Sequence, residues 1–425
     1  MNEKMKVLVV GSGGREHAIA WALSRSDRVS QIYNASMNAG LRKLCRQVDC
    51  NPTDINSLVG FASEEGIDLT FVGPEQPLVE GIVDLFKARG LRVFGPDSRT
   101  ARLEGSKVAA KQFMQSYGVP TSSYVAAETP AEAQAVIHSE ALGFPVVIKA
   151  DGLAAGKGVV IAADKAEANN AIEDLMLRRV VGEAGSRLVI EECLSGRELS
   201  YLIFSDGRNY SPLPVAQDHK RAFDGDKGPN TGGMGAFSTP GLLDNATEQR
   251  IRSEIVEPSL EGCIAEGTPF CGVLYFGLML TEAGPKVLEY NVRLGDPETQ
   301  ALIRRLRTDI AEVCDAVIDG HLDQTRIEWS DESATAIVMA SHGYPGPCEM
   351  GKPITGIDFA EQISDVVVFH SGTRKGPGEV LETAGGRVLG VTSIAPDLEQ
   401  AIGRAYEAAG RIRFDGMRFR RDIGV

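Results

Sequence analysis

The sequence predicts a multidomain protein that combines the α/β and α+β classes, and three observations support this. Over roughly the first hundred residues, short apolar runs alternate with helical stretches, which is typical of a parallel α/β layer. Further on, a glycine-rich loop lies between two strand-like runs, which favours a small mobile lid. A new strand pattern follows in the last hundred residues. We therefore expect domains at 1–105, 106–328 and 329–425, with the lid at about 121–193 and an α+β domain at the C-terminal end.

The N-terminal layer is predicted from the order of its apolar runs. Buried strands are expected at 6–10, 30–34, 69–72 and 91–94, and a helix is expected at 78–89. A further helix begins at Ser106 and ends before the turn at Gly118, because its apolar residues keep helical spacing. This helix places Lys107 and Lys111 one turn apart on the same face.

The rest of the chain alternates strands with fewer helices. In the lid we expect a helix at 165–178 and strands at 144–150, 159–163, 187–194 and 198–204. The runs 271–280 and 286–293 fit an antiparallel hairpin, because the link 281–285 is rich in turn residues. In the C-terminal domain we expect strands at 334–340, 365–370 and 387–394 and a helix at 397–411.

Composition limits the class of partner. The chain has 425 residues, of which 43% are hydrophobic and 24% charged, so it has enough material for two to four packed domains. Its net charge of −14 argues against a nucleic-acid or anionic-membrane partner, since both require an excess of Lys and Arg. Any anionic substrate must therefore be held by a local basic pocket.

Cysteine usage and hydropathy indicate a cytoplasmic protein. The seven cysteines are odd in number, scattered, and never in a Cys-x-x-Cys spacing, which indicates reduced thiols and no thiolate zinc site. The apolar run 7–10 is too short for a signal-peptide core, and no run elsewhere approaches the length of a membrane span.

The stretch 286–300 carries the strongest chemical signal. Side chains alternate across a strand, so one face is predicted to be polar and the other to be core. The polar face carries Glu289, Asn291 and Arg293, and the core face carries Leu288, Tyr290 and Val292. A carboxylate and a carboxamide two residues apart are oxygen donors that suit Mg²⁺, and an arginine adds a cationic fork for phosphate or carboxylate. The alternative is an ordinary exposed strand face with a surface ion pair.

The loop 151–158 is a candidate phosphate site. It lies between two strands, whereas a Walker-type loop lies between a strand and a helix and ends in Gly-Lys-Ser/Thr. Its glycines allow backbone amides to approach oxygens closely, while Lys149 and Lys157 supply charge. A plain hairpin turn is the alternative. The following run 189–194 fits a nucleotide hinge with Glu198 reaching ribose hydroxyls, or alternatively a solvated acidic strand end.

The segment 218–236 is too rich in glycine and polar residues for a core. Its glycine-rich part, 228–236, resembles loops that bring the backbone near a small polar ligand, and a disordered surface loop is the alternative. His219 has no second histidine at metal-ligand spacing, so its neighbours Lys220 and Arg221 are the stronger candidates.

The N-terminal glycine cluster invites comparison with dinucleotide sites. The third glycine of that fingerprint would fall at Glu16, and the second strand ends in Asn34 where an NAD site needs an acid. Both observations argue against NAD. The turn of Gly11, Gly13 and Gly14 still precedes a helix and could hold a single phosphate.

Taken in order, these motifs resemble known ligases. The loop Ile-Lys-Ala-Asp-Gly-Leu-Ala-Ala-Gly-Lys-Gly, the hinge Val-Ile-Glu-Glu and the strand Glu-x-Asn-x-Arg are similar to those of the ATP-grasp ligases. Four further motifs resemble the phosphoribosylamine–glycine ligase family within them: Gly-Ser-Gly-Gly-Arg-Glu-His-Ala, Asp-His-Lys-Arg, Gly-Pro-Asn-Thr-Gly-Gly-Met-Gly-Ala and Arg-x-Gly-Asp-Pro-Glu-Thr-Gln. The resemblance runs from Lys6 to Gly424, nearly the whole chain.

The resemblance implies a central ATP-grasp fold and a specific reaction. Such an enzyme joins glycine to 5-phospho-β-D-ribosylamine through a glycyl phosphate, cleaves ATP to ADP and phosphate, and performs the second step of purine synthesis. Its partners would be these small molecules, with transient hand-over from other purine-pathway enzymes. Another ATP-grasp carboxylate–amine ligase, an NAD-dependent oxidoreductase and a silent ATP-binding regulator are the rival interpretations.

The resemblance also assigns roles to individual residues. Glu289 and Asn291 would hold Mg²⁺ or Mn²⁺, and Arg293 and Lys149 would be catalytic. The implied ATP-binding residues are Lys107, Lys149, Gly152, Gly156, Lys157, Gly158, Glu191, Glu192, Leu194 and Glu198. The implied substrate-binding residues are Gly11, Gly13, Gly14, Asp218, Lys220, Asn230, Thr231, Gly232, Gly233, Gly235, Arg293, Asp296 and Thr299.

The chain departs from the family pattern at two places. Val292 and Leu294 stand where the family usually has a small residue and Phe, which is a change of local packing that keeps every polar residue. The loop 180–185 lacks an aromatic residue that family members often carry, so the ordering of the lid is expected to differ.

Overall fold

The structure is a computed structural model that describes residues 4–36, 38–51, 53–154 and 158–425. Two of the predicted site residues, Gly156 and Lys157, lie outside this set. Within the described ranges, no helix is long and apolar enough to cross a membrane.

The first hundred residues form the predicted parallel layer. Its elements, with the two helices that follow, are β1 (Met5–Val10), α1 (Gly14–Leu23), β2 (Val29–Asn34), α2 (Leu41–Leu44), β3 (Arg46–Gln47), α3 (Ile55–Glu65), β4 (Leu69–Val72), α4 (Glu75–Val79), α5 (Ile82–Ala88), β5 (Val93–Phe94), α6 (Ser98–Gly105) and α7 (Lys107–Ser116). The strands pair in parallel in the order β3-β2-β1-β4-β5. The order reverses between β1 and β4, so the loops that follow these two strands open a crevice of the kind that binds ligands in such sheets.

The predicted lid region contains a separate antiparallel sheet. Its elements are β6 (Tyr124–Ala127), α8 (Pro130–Ser139), β7 (Val146–Ala150), β8 (Val159–Ala162), α9 (Lys165–Ile172), a π-helical turn (Glu173–Leu177), a 3-10 turn (Gly182–Ser186) and β9 (Leu188–Glu192). The strand order is β6-β9-β7-β8. Strands β7 and β8 carry the two ends of the glycine-rich loop, as predicted.

The central part of the chain supplies a long hairpin and a small one. The elements here are β10 (Arg197–Asp206), β11 (Tyr210–Pro212), β12 (Gln217–Asp218), β13 (Arg221–Phe223), β14 (Lys227–Asn230), β15 (Gly235–Ser238), α10 (Asn245–Ile251), a π-helical turn (Arg252–Val256), α11 (Glu257–Ala265), β16 (Cys271–Thr281), β17 (Gly284–Asn291), α12 (Glu298–Arg305), α13 (Ile310–Asp319) and a 3-10 turn (Leu322–Gln324). One antiparallel sheet has the order β11-β10-β16-β17, which confirms the predicted hairpin of β16 and β17.

The last part of the chain completes a third large sheet. Its elements are β18 (Ser333–Ala340), α14 (Ile357–Ala360), β19 (Val366–His370), β20 (Thr373–Lys375), a 3-10 turn (Pro377–Glu379), β21 (Leu381–Thr383), β22 (Arg387–Ala395) and α15 (Leu398–Ala409). The sheet order is β12-β15-β18-β22-β19. Two strands from residues 217–238 therefore pair with strands from beyond residue 329, across the predicted domain boundary.

Two hydrophobic cores join the N-terminal layer to the central sheet. One contains Leu8 and Phe86 of the N-terminal layer together with Phe276 and Tyr290 of the hairpin. The other contains Phe71 and Phe94, whose rings stack at 4.7 Å, together with Phe204 of β10. Because both cores are shared, the N-terminal crevice is held in a fixed position beside the β16–β17 hairpin.

Two predicted helices are interrupted. The expected helix 78–89 is divided between α4 and α5, because Gly81 adopts a left-handed conformation with φ of +88°. The expected helix 165–178 ends as an α-helix at Ile172 and continues as a π-helical turn to Leu177. Apolar periodicity continues across both interruptions, so it could not reveal them.

The strand carrying the predicted metal ligands contains a bulge that changes one assignment. In the β16–β17 register, Gly277 pairs with Glu289 and Leu278 pairs with Val287, so Leu288 is the extra residue. Val287 takes the core position and is fully buried, whereas Leu288 is half-buried and lines the cleft described below. The prediction that Leu288 belongs to the core face was therefore wrong, and those for Tyr290 and Val292 are confirmed.

Candidate active site

A cleft of about 1220 Å³ lies between the N-terminal layer, the lid sheet and the two other large sheets. It collects most of the predicted site residues. Those that line it are Lys107, Lys149, Gly152, Gly158, Glu191, Glu192, Leu194, Glu198, Asp218, Lys220, Asn230, Thr231, Gly232, Glu289, Asn291, Arg293 and Asp296. The described residues that were predicted for the site and do not line it are Gly11, Gly13, Gly14, Gly233, Gly235 and Thr299.

Glu191 lies between two lysines at one end of the cleft. The Nζ atoms of Lys111 and Lys149 each lie 2.9 Å from one of its carboxylate oxygens, and the side chain is almost fully buried. Burial alone would raise the pKa of Glu191, but the two positive charges outweigh burial and lower it. Glu191 is therefore an ionised anchor that orients both ammonium groups toward the cleft.

The same end of the cleft ties three segments together. Lys149 also donates to the carbonyl oxygen of Leu288 at 3.0 Å, which links β7 to the bulge in β17. Lys107 donates to the carbonyl oxygen of Gly152 at 3.1 Å. The two predicted phosphate-binding lysines therefore lie where the glycine-rich loop begins, and a triphosphate there would meet positive charge from both α7 and β7.

Glu289 and Asn291 line the cleft, where their oxygen atoms are candidate metal donors. Burial would raise the pKa of Glu289, but the charges of Lys220 and Lys149 hold it at about 2, so the carboxylate is ionised. In the described part of the chain, no group of three or more His, Cys, Asp and Glu residues could hold a metal. One carboxylate and one amide oxygen fit Mg²⁺, which usually takes few protein ligands and completes its shell with water and phosphate oxygens.

Lys220 connects the 218–236 segment to the Glu289 side of the candidate metal site. Its ammonium group forms ion pairs with Glu198 and with Glu289, the latter at 3.4 Å. Burial would lower the pKa of Lys220, but these two carboxylates raise it well above its usual value. Glu198, predicted to reach ribose hydroxyls, is therefore engaged by Lys220 in this structure.

Arg293 is held by carboxylates of the N-terminal layer. It donates to Glu104 at 2.7 Å, to Glu75 at 3.2 Å and to the amide oxygen of Asn291 at 3.1 Å. Burial and the nearby charge of Glu75 raise the pKa of Glu104 to about 7, although the positive charge of Arg293 opposes them. The arginine is thereby fixed beside the candidate metal donors Glu289 and Asn291, with its charge partly neutralised.

Two further acidic residues, Asp218 and Glu298, lie close together at the start of the 218–236 segment. Glu298 accepts hydrogen bonds from the hydroxyls of Ser200 at 2.9 Å and Tyr275 at 2.6 Å. Burial and the charge of Glu298 raise the pKa of Asp218 well above its usual value. Within the described residues, the Oδ1 atom of Asp218 is buried and has no hydrogen-bond partner. A buried oxygen of this kind beside a cleft is suited to accept a hydrogen bond from a bound ligand.

Residues of the C-terminal part of the chain hold the glycine-rich 228–236 segment by hydrogen bonds. Arg387 donates to the carbonyl oxygens of Gly232 and Asp296, and Tyr344 accepts from the amide of Gly232 at 2.9 Å. Thr299, by contrast, is buried and donates to the carbonyl oxygen of Gly295 at the start of α12. Its hydroxyl therefore supports the local helix, and the structure does not bring it into the cleft.

The N-terminal glycine turn lies at the crevice between β1 and β4. The Glu16 side chain accepts a hydrogen bond from the Gly13 amide at 2.6 Å, and a Cβ atom on Gly73 would lie only 2.2 Å from it. Glu16 thus fills the space that a dinucleotide fingerprint leaves open. Asn34 donates to the carbonyl oxygens of Val9 and Gly11 and braces the turn. Glu16 and Asn34, the two residues on which the prediction against NAD depends, therefore both hold the turn in place.

The two apolar departures are accommodated in the cores. Val292 is fully buried in the core that contains Tyr290, and Leu294 is nearly so in the core of Phe204. Arg15 also donates to the carbonyl oxygen of Leu294 at 3.1 Å. Both residues, which follow the end of β17, are therefore packed in hydrophobic cores.

Comparison with known families accounts for this arrangement. Three family models match consecutive parts of the chain: the N domain of phosphoribosylglycinamide synthetase at residues 5–104, its ATP-grasp (A) domain at 105–299 and its C domain at 334–425. The chain belongs to the phosphoribosylglycinamide synthetase family. It is therefore a multidomain protein built on the ATP-grasp fold, and membership of this family means a ligase that uses ATP and divalent metal ions.

Individual relatives extend over the whole chain. Enzymes named phosphoribosylamine–glycine ligase from Ralstonia nicotianae and Halalkalibacterium halodurans are each 47% identical over 421 residues, which is 99% of this chain and 99% and 96% of theirs. The crystal structure of phosphoribosylamine–glycine ligase from Thermotoga maritima is 36% identical, covers 99% of this chain and 100% of its own, and has a TM-score of 0.83. The biotin carboxylase domain of a Hydrogenobacter thermophilus carboxylase, 18% identical with a TM-score of 0.73 over 98% of this chain and 92% of its own, shares the fold.

Cleft residues to which the sequence interpretation gave no site role include Glu75, Glu104, Lys111 and Arg387. Lys111 carried a usable signal, because it lies one helical turn after Lys107 on the same face. The others carried none, since each lies in a segment without a motif and reaches the site only through the fold.

Proposed function

We propose that this chain is an ATP-dependent ligase that joins glycine to 5-phospho-β-D-ribosylamine, giving glycinamide ribonucleotide, ADP and phosphate. One observation supports this most strongly. A single cleft contains the lysines anchored by Glu191, the donor pair Glu289 and Asn291, the fixed cation Arg293 and the polar 218–232 segment. The names of its relatives agree with this reaction.

The chemistry begins with the carboxylate of glycine, which is a poor electrophile near neutral pH. One carboxylate oxygen attacks the γ-phosphorus of ATP, and ADP leaves with the electrons of the broken P–O bond. Lys149 and Lys107, with Lys157 of the glycine-rich loop, neutralise phosphate oxygens during this transfer. Glu289 and Asn291 would hold Mg²⁺ or Mn²⁺, which supplies further charge neutralisation at the phosphates.

The second step forms the amide. The amine nitrogen of phosphoribosylamine attacks the carbonyl carbon of glycyl phosphate, and phosphate leaves with the electrons of the C–O bond. The nitrogen releases one proton, which the departing phosphate or water accepts. Arg293 stabilises charge on the acyl phosphate, and Lys220 binds the phosphoribosyl group. The Gly11 to Gly14 turn, which lies outside the lining of the cleft, is assigned to the same group by the resemblance alone. Closure of the lid at about 121–193 excludes water, which would otherwise hydrolyse the intermediate.

The remaining assignments belong to the same proposal. We assign adenosine binding to the hinge at 191–194 with Glu198, and phosphate contacts to Gly152, Gly156 and Gly158. The domains are 1–105, 106–328 and 329–425. The protein acts in the cytoplasm on the second step of purine synthesis, and receives its unstable amine substrate by transient hand-over from other enzymes of that pathway.

Transfer of a labelled oxygen tests the proposed intermediate. Glycine carrying ¹⁸O in its carboxylate should yield phosphate that contains one ¹⁸O atom per turnover, because that oxygen forms the bond to phosphorus and stays with it. Mass spectrometry of the released phosphate measures the transfer. Unlabelled phosphate, with the label retained in glycine or the amide, would exclude glycyl phosphate.

Removal of the Lys149 ammonium group should weaken ATP binding. We expect Lys149→Ala to raise the KM for ATP about tenfold and to change the KM for glycine less than about twofold, because a phosphate contact is lost at the nucleotide end. Steady-state kinetics measures both values. The control is Lys165→Ala, which removes a half-exposed lysine of the same lid paired with Glu140. A lower thermal midpoint with an unchanged KM for ATP would assign Lys149 a purely structural role.

A further inference from the structure

The proposed reaction assigns no role to the 420–425 segment. This segment lies against the hairpin of β13 and β14, residues 221–230. This hairpin follows Lys220 and includes the first residues of the glycine-rich 228–236 segment. Arg420 is only 2% exposed, although most arginines lie at the surface. Arg420 and Asp422 line the same cleft, and none of the roles proposed above uses them.

The hairpin has little support of its own. Within the described part of the chain its two strands form a two-stranded sheet of their own, and residues 223–229 are exposed. An isolated two-stranded hairpin is marginally stable in water, so its position depends on contacts from elsewhere.

Those contacts come from the 420–425 segment. The guanidinium of Arg420 donates twice to Asp422, each at 2.7 Å, and its remaining nitrogen donates to Asp226 at 2.7 Å and to the carbonyl oxygen of Arg221 at 3.1 Å. Asp422 in turn accepts from the amide of Gly225 at 2.7 Å. Bidentate pairs of this kind fix geometry as well as charge.

Two further contacts complete the junction. Asp224 accepts from the amide of Arg421 at 2.8 Å, and the guanidinium of Arg418 lies 4.5 Å from the centre of the Phe223 ring. The segment itself is fixed to α15, since Tyr406 donates to the carbonyl oxygen of Arg420 and accepts from the amide of Ile423, both at 3.0 Å. The hairpin is thus connected, through β13 and its turn, to the 420–425 segment and through that segment to α15.

The base of the hairpin carries residues of the cleft. Thr231 donates from its amide and its hydroxyl to the carbonyl oxygen of Lys220, each at 2.8 Å. The side chain of Lys220 then reaches Glu198 and Glu289. A movement of the hairpin would therefore displace Lys220 and Thr231 together.

We propose that Arg420 and Asp422 are positioning residues that hold the 221–230 hairpin, and through it Lys220 and Thr231, against the substrate end of the cleft. The inference rests on the proposed function, since it assigns this end of the cleft to the substrates other than ATP. It adds a role for the 420–425 segment, whose side chains at Arg420 and Asp422 line the cleft beside the 221–230 hairpin.

Replacement of Arg420 by methionine tests the proposal. The change keeps most of the side-chain volume, and Asp226 is 71% exposed, so no carboxylate is left buried on the hairpin side. We expect amides of the 221–230 hairpin to exchange with deuterium about tenfold faster, with exchange in the lid sheet unchanged. We expect the KM for glycine or phosphoribosylamine to rise about tenfold, with the KM for ATP within about twofold of its original value.

Two companion variants keep the test decisive. Asp226→Asn removes one exposed partner of Arg420 and cannot unfold the core, so it should give a smaller change of the same kind if Arg420→Met does not fold. Arg411→Met removes a surface arginine that lies two residues after α15 and pairs with Glu407. It should change neither the hydrogen exchange of the hairpin nor any KM value. Unchanged hairpin exchange in Arg420→Met and Asp226→Asn, or equal effects on all three KM values, would overturn the proposal.

The same experiment separates this proposal from the reaction on which it rests. Hydrogen exchange does not require turnover, so the hairpin contacts are measured even if the unaltered protein shows no glycine-dependent activity. In that case the proposed function fails, and with it the assignment of the substrate end, while the exchange result still shows whether Arg420 orders the hairpin.

Discussion

Glu289→Gln should lower kcat by roughly 100-fold, and raised Mg²⁺ should restore part of the loss. The variant keeps the size of the side chain and removes its negative charge. In the unaltered protein the neighbouring lysines keep the Glu289 carboxylate ionised. A neutral amide is a weaker ligand for a hard cation than a carboxylate, so the variant should need more metal for half-maximal rate. Asn291→Ala should show the same dependence. Initial rates measured across a Mg²⁺ titration check both variants.

The matched control lies on the same hairpin. Glu282 is an exposed carboxylate in the turn between β16 and β17, far along the strand from the donor pair. Glu282→Gln should leave both the rate and the metal titration unchanged. If Glu289→Gln loses activity with the metal dependence of the unaltered protein, Glu289 is not a metal ligand.

Lys111→Ala should lower the free energy of unfolding by about 3 kcal/mol. The ammonium group is 2% exposed and lies within hydrogen-bond distance of Thr121, Ser122 and Glu191. Its loss leaves the buried carboxylate of Glu191 with one cation, Lys149, in place of two. An uncompensated charge in a buried site is costly, and the deleted methylenes add a cavity. Urea unfolding followed by circular dichroism measures the change.

A surface lysine gives the reference value. Lys165 forms an ion pair with Glu140 in which both side chains are about half exposed. Lys165→Ala should therefore change the free energy of unfolding by less than about 1 kcal/mol. Equal losses in the two variants would mean that the contacts of Lys111 with Glu191 contribute no more than a surface pair.

Local patterns predicted the elements better than their interruptions. The alternation of residues 288–293 correctly placed Glu289 and Asn291 in the cleft and Tyr290 in the core, because these residues lie on one regular stretch of strand. It misplaced Leu288, since a bulge shifts the two-residue period and leaves no mark in composition. The break at Gly81 was missed for a similar reason, as a single glycine is compatible with a continuous helix.

Contacts between distant segments set the limit for the site. Glu75 and Glu104 reach Arg293 across 218 and 189 residues of sequence, and neither lies in a recognisable motif. Their position follows from the shared cores that hold the N-terminal layer against the hairpin. The third sheet shows the same effect at a larger scale, since β12 and β15 pair with strands from beyond residue 329. Short-range periodicity cannot specify such pairings.

The reaction itself is tested most directly by release of ADP from ATP and Mg²⁺ in the presence of glycine and freshly generated phosphoribosylamine. Each substrate is omitted in turn, and glycine is replaced by bicarbonate or formate in parallel samples. The proposed function predicts that rapid ADP release requires both glycine and the amine. Turnover with another acid in place of glycine, or none that depends on glycine, would contradict it.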